Sequence, residues 1–313
     1  MNSRHKLSFV FILILLAAVL IFALSPGCQP KPQYQKIDFT RLEPPGAAAP
    51  GESSEVLLRV AFAGVVSPTE TLKIYNQMVE YLGQALFRPV EIIQRSNYAE
   101  INDLVRSRYV DLAFVCSLAY VVGNNEFGME ILVVPQVGGG TVYHSYIIVP
   151  ANSKSESLAD LRGKAFAFTD PLSNSGRLAP TYRLHQMGAT PDNFFGKYVF
   201  TYSHDNSIRA VADSLFDGAA VDSLVYDHII SLEPEIGART RIIEKSPPFG
   251  IPPVVVHPAL NPEIKARLRS LLLNMEHDQT GRAVLESLHV NRFIIGDDAS
   301  YDSIRNMMRE LGW

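Results

Sequence analysis

The sequence predicts an α/β protein of two lobes, each a mixed, mostly parallel sheet flanked by helices, the pair joined by two crossover strands. Three observations predict it. From Val56 onward short β-branched runs alternate with segments of helical period, the pattern of repeated βα units. Two strand-like runs, Ser145 to Val149 and Val254 to Val256, bracket about 100 residues that would complete a small α/β unit of their own. The chain returns through Ser246-Pro247-Pro248-Phe249-Gly250-Ile251-Pro252-Pro253, and proline restricts the backbone where a hinge must be defined. The expected lobes are therefore 55–150 with 252–313, and 151–251; the alternative is one continuous sheet.

Taken in order, the expected strands are Leu57 to Ala63, Val90 to Gln94, Asp111 to Val115, Ile131 to Gln136, Ser145 to Val149, Ala165 to Thr169, Tyr198 to Tyr202, Gly218 to Val221, Arg241 to Lys245 and Val254 to Val256. Thr69 to Leu86 carries apolar residues at helical spacing (Leu72, Tyr75, Met78, Val79, Leu82, Leu86), and Tyr98 to Ser107, Ser207 to Phe216 and Pro262 to Asn274 behave likewise. Met307, Met308 and Leu311 read as core-facing positions of a last helix. No repeat of solenoid length is visible.

Composition bounds the function. The chain has 313 residues, 47% of them hydrophobic and 19% charged, enough apolar material for one large or two medium domains. A net charge of -4, with no long Lys/Arg run, argues against a nucleic-acid partner. There is no Gly-x-Ser-x-Gly elbow, no P-loop and no His-Glu-x-x-His, so the usual enzyme signatures are missing. The eight histidines lack metal-ligand spacing, which disfavours zinc; no cofactor is expected.

The N-terminus speaks of export. Arg4, His5 and Lys6 precede an apolar stretch from Leu7 to Leu24, followed by Ser25-Pro26-Gly27-Cys28. This reads as an export signal over 1–28 or as an uncleaved membrane anchor, since the stretch is near the lower limit of about 18–20 residues for a span. Both readings put the rest outside the cytoplasm, on the periplasmic or cell-surface side. The segment resembles the bacterial lipoprotein signal, with Cys28 as the lipidated residue, although Ser25 stands where that pattern usually has Leu. With Cys28 lipidated, Cys116, the second of two cysteines, has no partner. The Pro-, Ala- and Gly-rich stretch 29–54 reads as a flexible tether.

One segment carries the chemistry. An apolar strand, Ala165 to Thr169, runs into Asp170-Pro171-Leu172-Ser173-Asn174-Ser175-Gly176 and then a helix over Arg177 to Met187. Free N–H groups at a helix start, with its positive dipole end, suit an anion, and Ser173, Asn174 and Ser175 add hydroxyl and amide donors. The plainer reading makes Ser173 or Ser175 a helix cap.

This run resembles the Asp-Pro-x-Ser-Thr-Ser-Gly signature of the phosphonate, phosphite and phosphate substrate-binding proteins of ABC transporters (the PhnD-like family), which have the type II periplasmic binding protein fold. Further likenesses follow in family order: Asn97-Tyr98-Ala99-Glu100 at a helix start, Val110-Asp111-Leu112-Ala113-Phe114 in a strand, Ser117-Leu118-Ala119-Tyr120 in the loop after it, Tyr143-His144-Ser145, Ser203-His204-Asp205, and Ala219-Ala220-Val221-Asp222-Ser223. The resemblance implies a ligand held by Tyr98, Ser117 or its backbone, Ser173, Asn174, Ser175, the backbone of Ser175 and Gly176, and His204, with His204 favouring the anion further if protonated. Asp222 would orient His204 or accept a proton from the ligand. It implies capture by closure of the lobes, without catalysis, by a monomer that serves an ABC permease and ATPase; a sensor presenting its closed form to a membrane histidine kinase is the alternative, and an enzyme acting on a phosphorylated small molecule the less favoured one. Leu224 and Pro252 align with positions that are acidic in members preferring aminoalkylphosphonates, so the expected ligand is phosphite, phosphate, a simple alkylphosphonate or another small oxyanion. Val115-Cys116 replaces the aromatic residue or glycine usual after the Asp111 strand.

Overall fold

The computed structural model describes residues 57–313; the export segment 1–28 with Cys28 and the tether 29–54 lie outside them. β1 (Leu58–Phe62), α1 (Pro68–Leu86), β2 (Val90–Gln94), α2 (Tyr98–Arg106), β3 (Leu112–Phe114), α3 (Ser117–Phe127) and β4 (Glu130–Gln136) open the chain. After β5 (Val142–Tyr143) come β6 (Ser145–Pro150), β7 (Ala165–Phe168), a π-helical turn (Asn174–Leu178) running into α4 (Ala179–Gln186), α5 (Pro191–Phe194), β8 (Lys197–Phe200), α6 (His204–Ala212), β9 (Gly218–Asp222), α7 (Ser223–Leu232), α8 (Pro234–Arg239) and β10 (Thr240–Lys245). The return runs through β11 (Phe249–Gly250) to β12 (Val254–Val256), α9 (Pro262–Leu273), α10 (Gln279–Ser287), β13 (Arg292–Ile294) and α11 (Asp302–Leu311). Among the described residues no helix is long and apolar enough to cross a membrane.

Two sheets form the two lobes. One has the order β13-β4-β12-β3-β1-β2 and the other β10-β6-β9-β7-β8. β1 pairs in parallel with β2 and β3, and β7 in parallel with β8 and β9, as βα crossovers require. β12, the strand that returns from the second lobe, lies antiparallel between β3 and β4. The alternative of one continuous sheet is thereby excluded. β5 and β11 pair antiparallel, Phe249 opposite Tyr143, on the two segments that connect the lobes.

Several expectations are corrected by pairing. Ser145–Pro150, on the first-lobe side of the expected boundary at 150, belongs to the second sheet because its partners are β9 and β10. The segment from Ser117, expected as loop, opens an 11-residue helix. Ser117 through Val121 are all buried, so the first turn of α3 shows no polar face from which a helical period is legible. α6 starts at His204 instead of Ser207, and the helix expected from Arg177 begins as the π-turn at Asn174.

The described lobes are closed on one another. One apolar cluster draws Ile101, Cys116 and Leu118 from the first lobe and Leu178 and Ala179 from the second, so closure continues a core across the interface.

Candidate functional site

The Asp170–Gly176 turn sits inside the closed interface. Ser173, Asn174 and Ser175 are fully buried and Asp170 nearly so. The turn is held on three sides. The Ser145 hydroxyl donates to the Ser175 carbonyl at 2.6 Å. Asp170 accepts the Leu172 N–H at 2.7 Å and, across the lobes, the N–H of Tyr98 at 3.1 Å, so a carboxylate meets the positive start of α2. The Asn174 N–H points to the Cys116 sulfur at 3.4 Å, and its Nδ2 donates to the Tyr143 hydroxyl at 2.9 Å.

The three polar residues of the turn thus differ. Ser173 is a cap: its hydroxyl accepts the Gly176 N–H at 2.9 Å, so that N–H, expected to face a ligand, is engaged within the turn. A side chain at Gly176 would collide with Thr169, which explains the glycine. Asn174 bridges to the other lobe. Ser175 is left with a buried hydroxyl that has no partner, as are the Tyr98 hydroxyl, the Asn174 Oδ1 and the Ser203 hydroxyl. A buried polar group without a partner costs about 1–3 kcal/mol, so such groups gathered from facing elements mark a place built for polar contact.

Tyr98 is buried at the start of α2, with Asn97 capping the helix by accepting the Glu100 N–H. Burial first, then the neighbouring Cys116, Asp170 and Asp222, hold its phenol well above the usual value; it stays a neutral donor. Ser117 does not offer its hydroxyl, which donates to the Gly250 carbonyl of the return segment at 2.7 Å; at the first position of α3 it has its backbone to contribute.

His204 is fixed from behind. The Asp222 N–H donates to its Nδ1 at 3.0 Å, with the Thr169 hydroxyl 3.2 Å away. Since an N–H can only donate, Nδ1 is unprotonated and Nε2 carries the hydrogen. Burial pushes the imidazole down to about 3, so the ring is neutral with one N–H to give, and the added pull of a protonated ring on an anion does not arise. The backbone of Asp222 orients this ring; its carboxylate was expected either to do so or to accept a proton from the ligand. That carboxylate accepts the N–H groups of Leu224 and Val225 and caps α7; burial nevertheless raises it to about 7. Two more bonds latch the lobes here, His204 N–H to the Val65 carbonyl and Ser67 N–H to Asp205, each 2.9 Å.

The structure therefore sets Tyr98 and His204 beside Asp222, with the Ser175 hydroxyl buried and unpartnered in the adjoining turn, while Ser173, Asn174, Ser117 and Gly176 make bonds within the protein. Sequence reading gave no role to Asp170, Thr169, Tyr143 or Arg177. Asp170 lay inside the motif itself, which was the available signal. Arg177 follows the turn, its guanidinium over Phe168 at 4.7 Å and over Tyr198, Phe200 and Trp313 at 5.5–5.8 Å. Among the described residues no cluster of three or more His, Cys, Asp or Glu is arranged to hold a metal.

Comparison with known proteins identifies relatives in sequence and in fold. A phosphate-import protein, PhnD, of Mycolicibacterium smegmatis is 28% identical over 265 residues, 76% of this chain and 80% of that protein. A probable ABC transporter phosphite-binding protein, PhnD1, of Prochlorococcus marinus is 25% identical over 289 residues, 83% of this chain and 96% of that protein. In fold, the chain is similar to a binding protein component of a Pseudomonas aeruginosa ABC phosphonate transporter (TM-score 0.76, 24% identity, 80% and 85% of the two chains). It is also similar to Prochlorococcus marinus PhnD1 in complex with methylphosphonate (TM-score 0.74, 24% identity, 82% and 98%). The architecture is that of the type II periplasmic binding proteins. The family model for the periplasmic substrate-binding protein of phosphonate ABC transporters matches residues 60–301, and the chain belongs to that family.

Proposed function

We propose that the chain captures a phosphonate, phosphite or phosphate outside the cytoplasm, encloses it between its lobes at Tyr98, Ser175, His204 and Asp222, and presents the closed form to an ABC permease and ATPase. One observation supports this above the rest. Buried hydroxyls without a protein partner, Tyr98 from one lobe and Ser175 from the other, stand with the neutral His204 donor where the lobes meet. Such donors are fixed before the ligand arrives and lose little freedom on binding it. The names of the relatives, which bind or import phosphite, phosphate and methylphosphonate, supply the ligand class.

In mechanism, the ligand docks on the Ser173–Ser175 turn of the second lobe and closure about the β5–β11 connection brings Tyr98 to it. Because the ligand meets both sets of donors only when the lobes are closed, it binds that form better and shifts the population toward it. The transporter then reads closure. Asp222, poised near neutrality, is protonated beside an anion and donates to it, or accepts the proton of a hydrogen phosphonate. We read the chain as a binder and not a catalyst, monomeric, and tethered to the membrane through lipid on Cys28 or an N-terminal anchor.

Leu224 and Pro252 supply no partner for an ammonium group, and a buried unpaired charge is costly. Calorimetric titration is expected to show methylphosphonate or phosphite binding more tightly than aminoethylphosphonate, and Ser175→Ala weakening that binding by about 1–3 kcal/mol. Unchanged affinity in Ser175→Ala would remove the turn from the site.

A further inference from the structure

The inner donors account for the phosphorus head but leave unexplained the space before them. A cleft of about 420 Å³ lies in front of Asp222, lined by both lobes. On the first lobe its wall is an aromatic cluster: Phe62 lies 4.1 Å from Tyr75 and 4.8 Å from Phe114, ring centre to ring centre, and Tyr75 lies 5.5 Å from Phe114. The second lobe answers with Leu224 and Val225 from the first turn of α7. Among the lining residues His228 of the second lobe and His289 of the first bring their rings to 4.6 Å, bridging the lobes.

Charge is scarce in this space. No Lys or Arg lines it, so a second carboxylate or phosphate on the ligand would meet no permanently charged cation there, only the His228–His289 pair. Of its two carboxylates, Asp222 caps α7. Asp227 is exposed, accepts the Tyr146 hydroxyl at 3.5 Å and is coupled to Lys245, so its charge is answered from its own lobe. A bare oxyanion or methylphosphonate would leave most of the cleft unfilled, whereas its volume falls within the range of about 300–1,000 Å³ typical of sites for small organic molecules.

We propose that the ligand carries, on the phosphorus held by the inner donors, an uncharged aryl substituent seated in this cleft against Phe62, Tyr75 and Phe114: the substrate class is arylphosphonate. The inference rests on the phosphonate reading above and narrows it. Aromatic walls favour a ring in edge or offset contact, and each buried methylene-sized increment tightens binding about fourfold.

The test is calorimetric titration of the full-length chain in detergent micelles with methylphosphonate, phenylphosphonate, aminoethylphosphonate and 3-phosphonopropionate. Phenylphosphonate is expected to bind at least tenfold more tightly than methylphosphonate, with a more negative heat-capacity change, while neither charged substituent gains over methyl. Val225→Trp, which fills the cleft, is expected to bring the phenyl-to-methyl ratio close to one. Phenylphosphonate binding no better than methylphosphonate, a charged substituent binding best, or a ratio unaltered in Val225→Trp would each overturn the cleft inference and leave phosphonate capture standing. Failure of every phosphonate to bind would remove both.

Discussion

Behind Asp222 the structure gathers Tyr98, Ser175 and His204, each bringing a buried polar atom; in front of it the walls are Phe62, Phe114, Leu224 and Val225. These two regions share one residue and use opposite physics. The inner region keeps polar groups out of water without protein partners, at a cost to the unliganded protein that a ligand relieves. The outer one is apolar and stabilises the closed form in proportion to the surface it hides. On the reading proposed above, the difference teaches that grip and choice are separable: the inner donors would hold the phosphorus head, while the cleft would sort what is attached to it.

Asp222, on the border, gives the largest way to break the comparison. Its folded value of about 7 lies above the ordinary 3.8. Its stabilising contribution is therefore full below about pH 4 and is lost as pH rises to about 7. A shift of about three units corresponds to at most about 4 kcal/mol. Asp222→Asn retains a capping side chain and cannot ionise, so chemical denaturation from pH 4 to pH 8 should show it gaining on the wild type by up to that amount. Parallel pH profiles of the two proteins would show that Asp222 is not buried as described.

Tyr98→Phe sharpens the contrast within the inner region. It deletes a buried hydroxyl without a partner, so the unliganded protein should melt at an equal or higher temperature while affinity for methylphosphonate falls by about 1–3 kcal/mol. Ser173→Ala should do the reverse, losing stability by about 1 kcal/mol through the lost cap with a smaller effect on binding. Equal effects of the two variants on both measurements would dissolve the distinction between donor and framework. The smallest expected effect lies outside both regions. Trp313→Ala removes one ring from the four around Arg177 and should lower stability by about 0.5–1 kcal/mol, with phosphonate affinity nearly unchanged.

Much of the fold was legible because its signals are local. Val254 to Val256 read as a strand from its β-branched composition and flanking prolines, and Asn97-Tyr98-Ala99-Glu100 marked the start of α2 through its family resemblance. α3 was not legible because its first turns are buried all round, and β5 and β11, two residues each, are too short to carry a period. The motif gave the place of the site but not its roles. Ser173 and Ser175 are the same residue type two positions apart, and only packing decides that one caps a turn while the other keeps its hydroxyl free.

The amino-acid sequence alone determined the α/β class, the insertion of one lobe within the other and the polar turn after β7, since periodicity, proline and the order of motifs are properties of the chain. Tertiary structure alone decided which of the turn's donors remain unengaged, that His204 is neutral and Asp222 titrates near neutrality, and that an apolar cleft lies before them. The reason is that hydrogen-bond partners, burial and local dielectric arise from contacts between residues far apart in the chain, such as Tyr98 with Asp170 and His204 with Asp222, and no local pattern encodes them.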